Sequence, residues 1–351
     1  MKSSTRKVLN FLFIAATMAM VIILAFGNSE LENAWQVLFT LNPYWLGGAV
    51  LCWFCYLFFD ACGYHLFLKN QNHRVKMRFA LFISMIGFYY GNITPGASGG
   101  QPMQVYYMKK RDIPIGIGTS AISLKFMSNQ LMTVTIASVL WICNATFIAA
   151  QLDGVMWAVI IGWIINFSAV PLILLITLHR PFVQSIVAFF VRMGAKFKLI
   201  KKPDDAMLRM NAILDTYHSS VLRLGRHPKQ ILVQLVLSAL SMLGLTCVVI
   251  CVYHAFGEVG TPWYQLLTLA FLLFLSASYT PLPGASGAQE GGFLAFYRGL
   301  FTSGTIGLAL LVWRFATYYL FIIIGAVMTI AMQLRSGKKT EAAASSETKT
   351  D

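Results

Sequence analysis

Five ionisable residues stand inside, or at the edge of, long apolar segments of the chain. They are Asp60, Lys125, Glu290, Arg298 and Arg314. An ionisable side chain within a membrane span costs roughly 2.5–3.5 kcal/mol on insertion scales, so each one is a candidate for ligand or ion binding. The alternative, snorkelling to an interface or a structural ion pair, applies most to Asp60 and Arg298. Three cations and two carboxylates could bind a ligand that carries both an anionic and a cationic group.

A seven-residue motif occurs twice, 188 residues apart, as PGASGGQ at residues 95–101 and PGASGAQ at residues 283–289. Proline lacks a backbone donor and glycine is conformationally permissive, so neither copy can continue a straight helix. Half-helices that start after Gly99 and Gly287 would direct positive dipole ends at a common site, which suits a phosphodiester. The alternative is close helix packing, which small residues also permit.

Ten motif residues are predicted to bind the substrate together with the five ionisable residues. These ten are Pro95, Gly96, Ser98, Gly99, Gln101, Pro283, Gly284, Ser286, Gly287 and Gln289. Backbone that breaks at membrane depth is tolerated only in the protein interior or beside a water-filled cavity, so the two copies mark such a place. Whether Gln101 and Gln289 contact the ligand or only brace the backbone stays open.

The composition is that of an integral membrane protein. Of 351 residues, 57% are hydrophobic and 11% are charged, against roughly 25% charged in soluble domains. The alternating pattern of an outer-membrane barrel is absent, so the predicted class is all-α. The net charge of +14 does not indicate nucleic-acid binding, because the basic residues cluster at the ends of apolar segments. The six cysteines lack ligand-spaced histidines, so neither a metal nor a cofactor is expected.

Six segments are long enough to cross a bilayer once, and each motif copy interrupts a further apolar stretch. The predicted crossings are 8–27 (an uncleaved span), 43–68, 115–150 (tilted or bent), 155–178, 231–254 and 305–334. The stretch that begins at Phe79 has basic residues on both sides, which predicts a re-entrant hairpin around the first break. A second hairpin begins at Trp263.

The distribution of positive charge orients these segments. The two tails, the turns at 69–78 and 106–113 and the connector 179–230 hold 24 of the 27 Lys and Arg. The positive-inside rule therefore places both termini in the cytoplasm. The two hairpins then enter from opposite faces, which is the pattern of an inverted repeat with a site at mid-membrane.

One membrane domain, residues 1–334, is predicted, followed by a disordered cytoplasmic tail at 335–351. Its halves span about 43–178 and 231–334. Within the connector 179–230, residues 182–199 have helical periodicity. Their apolar positions Val183, Ile186, Val187 and Phe190 stand beside Arg192, Lys196 and Lys198. A helix lying on an anionic leaflet and a solvated connector are both open interpretations.

The segments TPGASGGQPMQVYYMKK (94–110) and PLPGASGAQEGG (281–292) resemble the two signatures of the lysylphosphatidylglycerol synthase/flippase transmembrane family. Asp60 and Arg314 also stand where that family carries polar residues. The resemblance covers nearly the whole chain. It implies a polytopic domain that moves an anionic or aminoacylated phospholipid between leaflets of the bacterial plasma membrane, a route to antimicrobial peptide resistance.

The leading hypothesis is thus a lipid flippase-like transporter whose partners are its phospholipid substrate, a separate lipid aminoacyltransferase and a second copy in a homo-oligomer. In full-length family members a soluble C-terminal domain transfers lysine from aminoacyl-tRNA to phosphatidylglycerol. No segment of that size follows Leu334 in this sequence, so an enzymatic role as a phosphatidylglycerol lysyltransferase or another lipid-modifying transferase is the less favoured alternative. A further alternative is a secondary transporter for a small ionic solute, with Glu290 as a proton site.

Overall fold

The computed structural model describes residues 34–196, 203–225, 227–302 and 304–332. Within these ranges the secondary structure is helical and contains no strand. The α-helices are α1 Ala34–Thr40, α2 Pro43–Asn70, α3 Met77–Asn92, α4 Gly100–Lys109, α5 Ile115–Cys143, α6 Ala145–Gln151, α7 Met156–Leu178, α8 Arg180–Lys196, α9 Pro203–Gly225, α10 Pro228–Ala255, α11 Trp263–Ala277, α12 Ala288–Phe296 and α13 Ile306–Met332.

Four of these helices, α2, α5, α10 and α13, are long and apolar enough to cross a membrane. Shorter apolar stretches lie in α7 and α11. The prediction of an all-α polytopic membrane protein is therefore confirmed. The predicted first span, 8–27, and the predicted tail, 335–351, lie outside the described residues.

Two predicted crossings differ in detail from the observed helices. The segment 115–150 is divided into α5 and α6 at Asn144, whose side-chain amide donates to Leu140 O at 2.9 Å and to Thr268 Oγ1 at 3.0 Å. In α13 one π-helical turn, Phe315–Tyr319, begins directly after Arg314. Turns of this kind are frequent at functional sites. Hydrophobic periodicity carries no signal for either feature, because apolar residues continue on both sides of Asn144 and of the π-helical turn.

The corresponding first helices of the two halves, α2 and α10, pack against each other in antiparallel orientation. Cys52 Sγ lies 3.9 Å from Cys251 Sγ near one end of the pair, and Ser241 Oγ donates to Tyr56 O at 3.0 Å farther along. At Gly244 the helices come so close that a Cβ would lie 2.7 Å from the backbone nitrogen of Tyr56. Small residues allow such an approach between membrane helices.

We expect Gly244→Ala to force α2 and α10 apart, because the added methyl group would meet backbone atoms that have no rotamer with which to yield. The expected loss is about 1–3 kcal/mol of stability, the usual result of overpacking, and it should appear as a lower Tm in detergent. Gly47→Ala is the matched control, since nothing lies within 4 Å of its added Cβ. An equal fall in Tm for both variants would contradict the close approach.

Each motif copy turns the chain back on itself between two antiparallel helices. In the first hairpin, Gln104 Nε2 on α4 donates to Ile83 O on α3 at 3.0 Å, and the rings of Phe82 and Tyr107 are 5.1 Å apart. In the second hairpin, Tyr297, just beyond α12, donates through its hydroxyl to Leu266 O on α11 at 3.3 Å. The breaks thus form the tips of two helical hairpins.

The tips of the two hairpins meet. The backbone N–H of Gly96 in the first tip donates to Pro281 O in the approach to the second at 3.0 Å. Tyr318 on α13 donates through its hydroxyl to Asn92 O at the end of α3, at 3.3 Å. Antiparallel packing of α2 on α10 and this tip-to-tip contact are what a two-fold axis in the membrane plane would produce.

The connector between the halves consists of the two helices α8 and α9. Helix α9 is fastened to the first half, because Gln71 Nε2 donates to Ser220 O at 3.3 Å and Ser120 Oγ donates to Tyr217 O at 3.2 Å. Ser220 is buried. The predicted helix within 182–199 is present as α8, which packs against α7 and α9.

Candidate functional site

A cavity of about 410 Å³ lies between the two hairpins and the helices α2, α5 and α13. Three ionisable side chains that sequence analysis singled out contribute to its wall: Asp60 from α2, Lys125 from α5 and Arg314 from α13. All three are at least 95% buried. The rest of the wall is mixed, with amide side chains beside aromatic rings such as Phe88 and Trp313. Buried charges of both signs therefore meet in one ligand-sized space.

Arg314 is held by a carboxylate and by the second break. Its Nε donates to Glu290 Oε1 at 2.6 Å, its Nη2 lies 2.5 Å from the same oxygen, and Nη2 also donates to Gly284 O at 3.1 Å. The other oxygen of Glu290 accepts the backbone N–H of Gly287 at 2.6 Å. The N-terminal end of α12 was predicted to face a ligand. It is instead capped by the carboxylate of Glu290, a residue of the same helix. Glu290 lies behind Arg314, outside the cavity wall.

Lys125 is paired with Asp60, and both residues line the cavity. The ammonium group also lies 5.1 Å from the centre of the Tyr64 ring. Tyr64 in turn donates through its hydroxyl to Gln104 Oε1 at 3.3 Å, which ties the pair to the first hairpin. In contrast to Glu290, Asp60 faces the cavity together with its cation, so a ligand could reach either partner.

The two cations have equivalent surroundings in the two halves. Each is paired with a carboxylate and lies over a tyrosine, since the Arg314 guanidinium carbon is 4.9 Å from the Tyr318 ring centre. Lys125 and Arg314 are 189 residues apart, one more than the interval between the motif copies. Their acids do not correspond, because Asp60 comes from a crossing helix and Glu290 from a hairpin. The two halves thus share a cation at corresponding positions but supply its carboxylate from different helices.

The two breaks share a backbone conformation that depends on glycine. Gly96 and Gly284 have φ of 58° and 60°, in the left-handed region. In each copy the serine hydroxyl closes the turn, at 2.9 Å from Ser98 to Pro95 O and at 2.8 Å from Ser286 to Pro283 O. The copies differ at the last shared glycine, where Gly287 has φ of 86° and Gly99 has φ of −84°.

The cavity brings together seven of the fifteen predicted site residues. The seven in its wall are Asp60, Gly96, Gln101, Lys125, Gly284, Gln289 and Arg314. The eight outside its wall are Pro95, Ser98, Gly99, Pro283, Ser286, Gly287, Glu290 and Arg298. Most of those eight shape the two breaks. Arg298 is different, because its side chain is exposed beyond α12 and only its carbonyl is engaged, by Gln151 Nε2 at 2.8 Å.

Several wall residues escaped sequence analysis. Gln104, Asn129 and Tyr318 all line the cavity, and each stands three or four positions from a residue that was singled out, namely Gln101, Lys125 or Arg314. Helical periodicity places such neighbours on one face, so that signal was present in the sequence. The side-chain oxygen of Asn129 is buried without a hydrogen-bond partner.

We expect Gln104 to brace the first hairpin and Gln101 to contribute little to stability. Gln104→Leu removes the bonds to Ile83 O and Tyr64 and should cost about 1–3 kcal/mol, because buried polar partners are left unsatisfied. Gln101 is exposed, so Gln101→Leu should leave Tm nearly unchanged. Thermal unfolding of both variants in detergent measures the difference. A larger fall in Tm for Gln101→Leu than for Gln104→Leu would mean that Gln101, not Gln104, braces the hairpin.

Among the described residues no group of three or more His, Cys, Asp or Glu is placed to hold a metal ion. The cavity wall offers side chains that can recognise a charged ligand. Arg314 and Lys125 can donate to anionic oxygens, and Asp60 and Asn129 Oδ1 can accept from an ammonium or hydroxyl group.

Comparison with known proteins agrees with this architecture. The family model described as the lysylphosphatidylglycerol synthase TM region matches residues 8–325. A curated relative, a UPF0104 membrane protein of Archaeoglobus fulgidus, is 23% identical over 316 residues, which are 86% of this chain and 90% of that protein. Both names describe membrane proteins, and the family match contains both motif copies and all five intramembrane ionisable residues.

Proposed function

Because this chain belongs to the family of the lysylphosphatidylglycerol synthase transmembrane region, we propose that it is a flippase-like transporter that moves an anionic or aminoacylated phospholipid between leaflets. The observation that carries the proposal is the cavity wall, in which Arg314, Lys125 and Asp60 face one space. A phosphodiester fits the two cations, and an ammonium group fits Asp60. Lysyl-phosphatidylglycerol carries both groups.

The size and lining of the cavity support a headgroup as its occupant. Its volume of about 410 Å³ lies in the lower part of the roughly 300–1,000 Å³ range of small-molecule pockets. Transfer of a charged headgroup through hydrocarbon is costly because its charges lose their solvation. Fixed charges of both signs at the centre of the protein lower this cost without any covalent step.

Alternating exposure of the cavity would follow from movement of one half against the other. Inverted repeats with a site at their interface operate by such rocking. We propose that both termini are cytoplasmic, because 24 of 27 Lys and Arg lie in segments assigned to that side. The bacterial plasma membrane is proposed on the family resemblance. A separate lipid aminoacyltransferase would supply the aminoacylated substrate.

The test is a leaflet-exposure assay. The full chain is reconstituted into vesicles that contain lysyl-phosphatidylglycerol in the inner leaflet, and the amine that reaches the outer leaflet is measured with a membrane-impermeant amine reagent. We expect exposure to rise faster with protein than in protein-free vesicles. Equal rates would refute lipid transport. Release of internal lysine or glycerol phosphate, without lipid movement, would instead assign the cavity to a small solute.

An Asp60→Asn variant tests the proposed ammonium contact in the same assay. Asparagine keeps the size and one acceptor oxygen but lacks the charge. Transport of lysyl-phosphatidylglycerol should therefore fall about tenfold to a hundredfold, as expected for loss of roughly 1.5–3 kcal/mol from a hydrogen bond to a charged group. Transport of phosphatidylglycerol should be less affected. Phosphatidylglycerol movement is followed with a chain-labelled analogue and an outer-leaflet quencher. An equal fall for both lipids would place the role of Asp60 in holding Lys125 rather than the ligand.

A further inference from the structure

Helix α8, in the connector between the halves, carries an apolar stripe on its outer face. Phe182, Ile186, Phe189 and Met193 recur every three or four residues and so share one face of the helix. Their exposed fractions are 38, 38, 62 and 37%. Val191, on the opposite face, is buried. The helix thus packs on the protein with one side and presents large hydrophobic side chains outward with the other.

The sequence of the helix and of the residues that follow it is basic. Residues 179–202 contain six Lys or Arg and no Asp or Glu, and the next acids are Asp204 and Asp205 at the start of α9. Arg192 is exposed and stands three positions after Phe189, so it neighbours the stripe on the helix surface. A helix of this kind, with an apolar face and basic flanks, suits the boundary between acyl chains and anionic headgroups. Long basic side chains there reach outward to the phosphates.

The stripe is also close in sequence to surface that faces lipid. Helix α7 presents exposed Ile164, Phe167 and Leu172, and only His179 separates the end of α7 from α8. The apolar face of α8 therefore follows directly on the apolar face of a predicted crossing. Helix α9, which is fastened to α2 and α5 at Gln71 and Ser120, supports α8 from the other side.

From these observations we infer that α8 binds the surface of an anionic leaflet, with Phe182, Ile186, Phe189 and Met193 inserted among the acyl chains and the basic flank on the lipid phosphates. The occupant of this face is lipid bilayer rather than solvent or a second protein. The inference concerns the connector alone and is independent of what the central cavity transports.

The experiment compares two neighbouring positions, one on the stripe and one beside it. Ile186→Cys and Ser185→Cys variants of the full chain are placed in nanodiscs of phosphatidylcholine mixed with phosphatidylserine, or of phosphatidylcholine alone. Reaction with a charged, impermeant maleimide is read on the labelled peptide by mass spectrometry, so the native cysteines do not interfere. Both positions are exposed in the protein alone.

In mixed discs the cysteine at position 186 should react about tenfold more slowly than the one at 185. This gap between the two reaction rates should narrow in discs of phosphatidylcholine alone. Adding Arg192→Glu exchanges a positive charge for a negative one. It should abolish the difference between the two rates in mixed discs, because each unit of charge at an anionic surface is worth about fivefold. Arg223→Glu on α9, also an exposed arginine, is the control and should leave the gap unchanged.

Three results would overturn the inference. Equal reaction at 185 and 186 in mixed discs would mean that the stripe faces water. Equal protection of position 186 with and without phosphatidylserine would show that binding of α8 does not depend on anionic lipid. Protection found only in discs that hold two copies of the chain would assign the face to a second copy.

Discussion

The Gly284→Ala variant is expected to lose transport by on the order of a hundredfold while still inserting in the membrane. The added Cβ would collide with the ring of Tyr318, the residue that lies under the Arg314 guanidinium. Overpacking of this kind costs about 1–3 kcal/mol, and a left-handed φ adds roughly 1–2 kcal/mol for any L residue. The ring would have to move, and it would disturb the arginine that lines the cavity.

The matched control is Gly96→Ala, at the same position of the first motif copy. Gly96 has nearly the same φ, but no atom lies within 4 Å of its added Cβ. The backbone strain of roughly 1–2 kcal/mol is therefore shared and the collision is not, so we expect a fall in transport of about tenfold. Leaflet-exposure rates, normalised to inserted protein, provide the measurement. Equal loss in both variants would show that backbone conformation alone explains the motif.

Removal of the Arg314 charge is the second change with a large expected effect. Arg314→Met would leave the Glu290 carboxylate buried with only the Gly287 N–H as a partner, which should cost about 3–5 kcal/mol of stability. Transport should also be lost, because the variant lacks a cavity cation. Thermal unfolding in detergent and the leaflet-exposure assay measure the two effects separately.

The double variant Glu290→Gln/Arg314→Met distinguishes a structural role from ligand binding. Glutamine retains an acceptor for Gly287 without a charge, so most of the lost stability should return, as is usual when both partners of a buried pair are neutralised. Transport should remain lost because the cavity still has no guanidinium. Recovery of transport together with stability would reduce Arg314 to a structural element.

Sequence alone predicted the membrane helices well because their signal is local. The apolar runs at 43–68 and 231–254 became α2 and α10 with ends shifted by at most three residues. The two helix breaks were equally predictable, because proline and glycine act on their own backbone. The division at Asn144 escaped prediction because it depends on a bond to Thr268, 124 residues away.

The site was harder to predict because it depends on which charges face each other. Sequence analysis found both acids and all three bases and offered a structural ion pair as an alternative for Asp60, but it named no partners. The fold pairs Asp60 with Lys125 and Glu290 with Arg314. It also grouped Arg298 with them, although that residue lies two positions past the end of α12. Proximity between side chains that are 65 or 24 positions apart is not encoded in local spacing.

The contact between the hairpin tips has a consequence for how fast the cavity can change its exposure. Two hydrogen bonds cross between the halves here. Gly96 N–H to Pro281 O joins the tips, and Tyr318 Oη on α13 to Asn92 O joins the second half to the end of α3. At a net worth of roughly 0.5–1.5 kcal/mol each, these bonds contribute only about 1–3 kcal/mol to holding the tips together. A headgroup that binds separated tips tenfold to a hundredfold better offsets that contribution. Tyr318→Phe, which deletes one of the two bonds, should therefore speed up exchange rather than stop it.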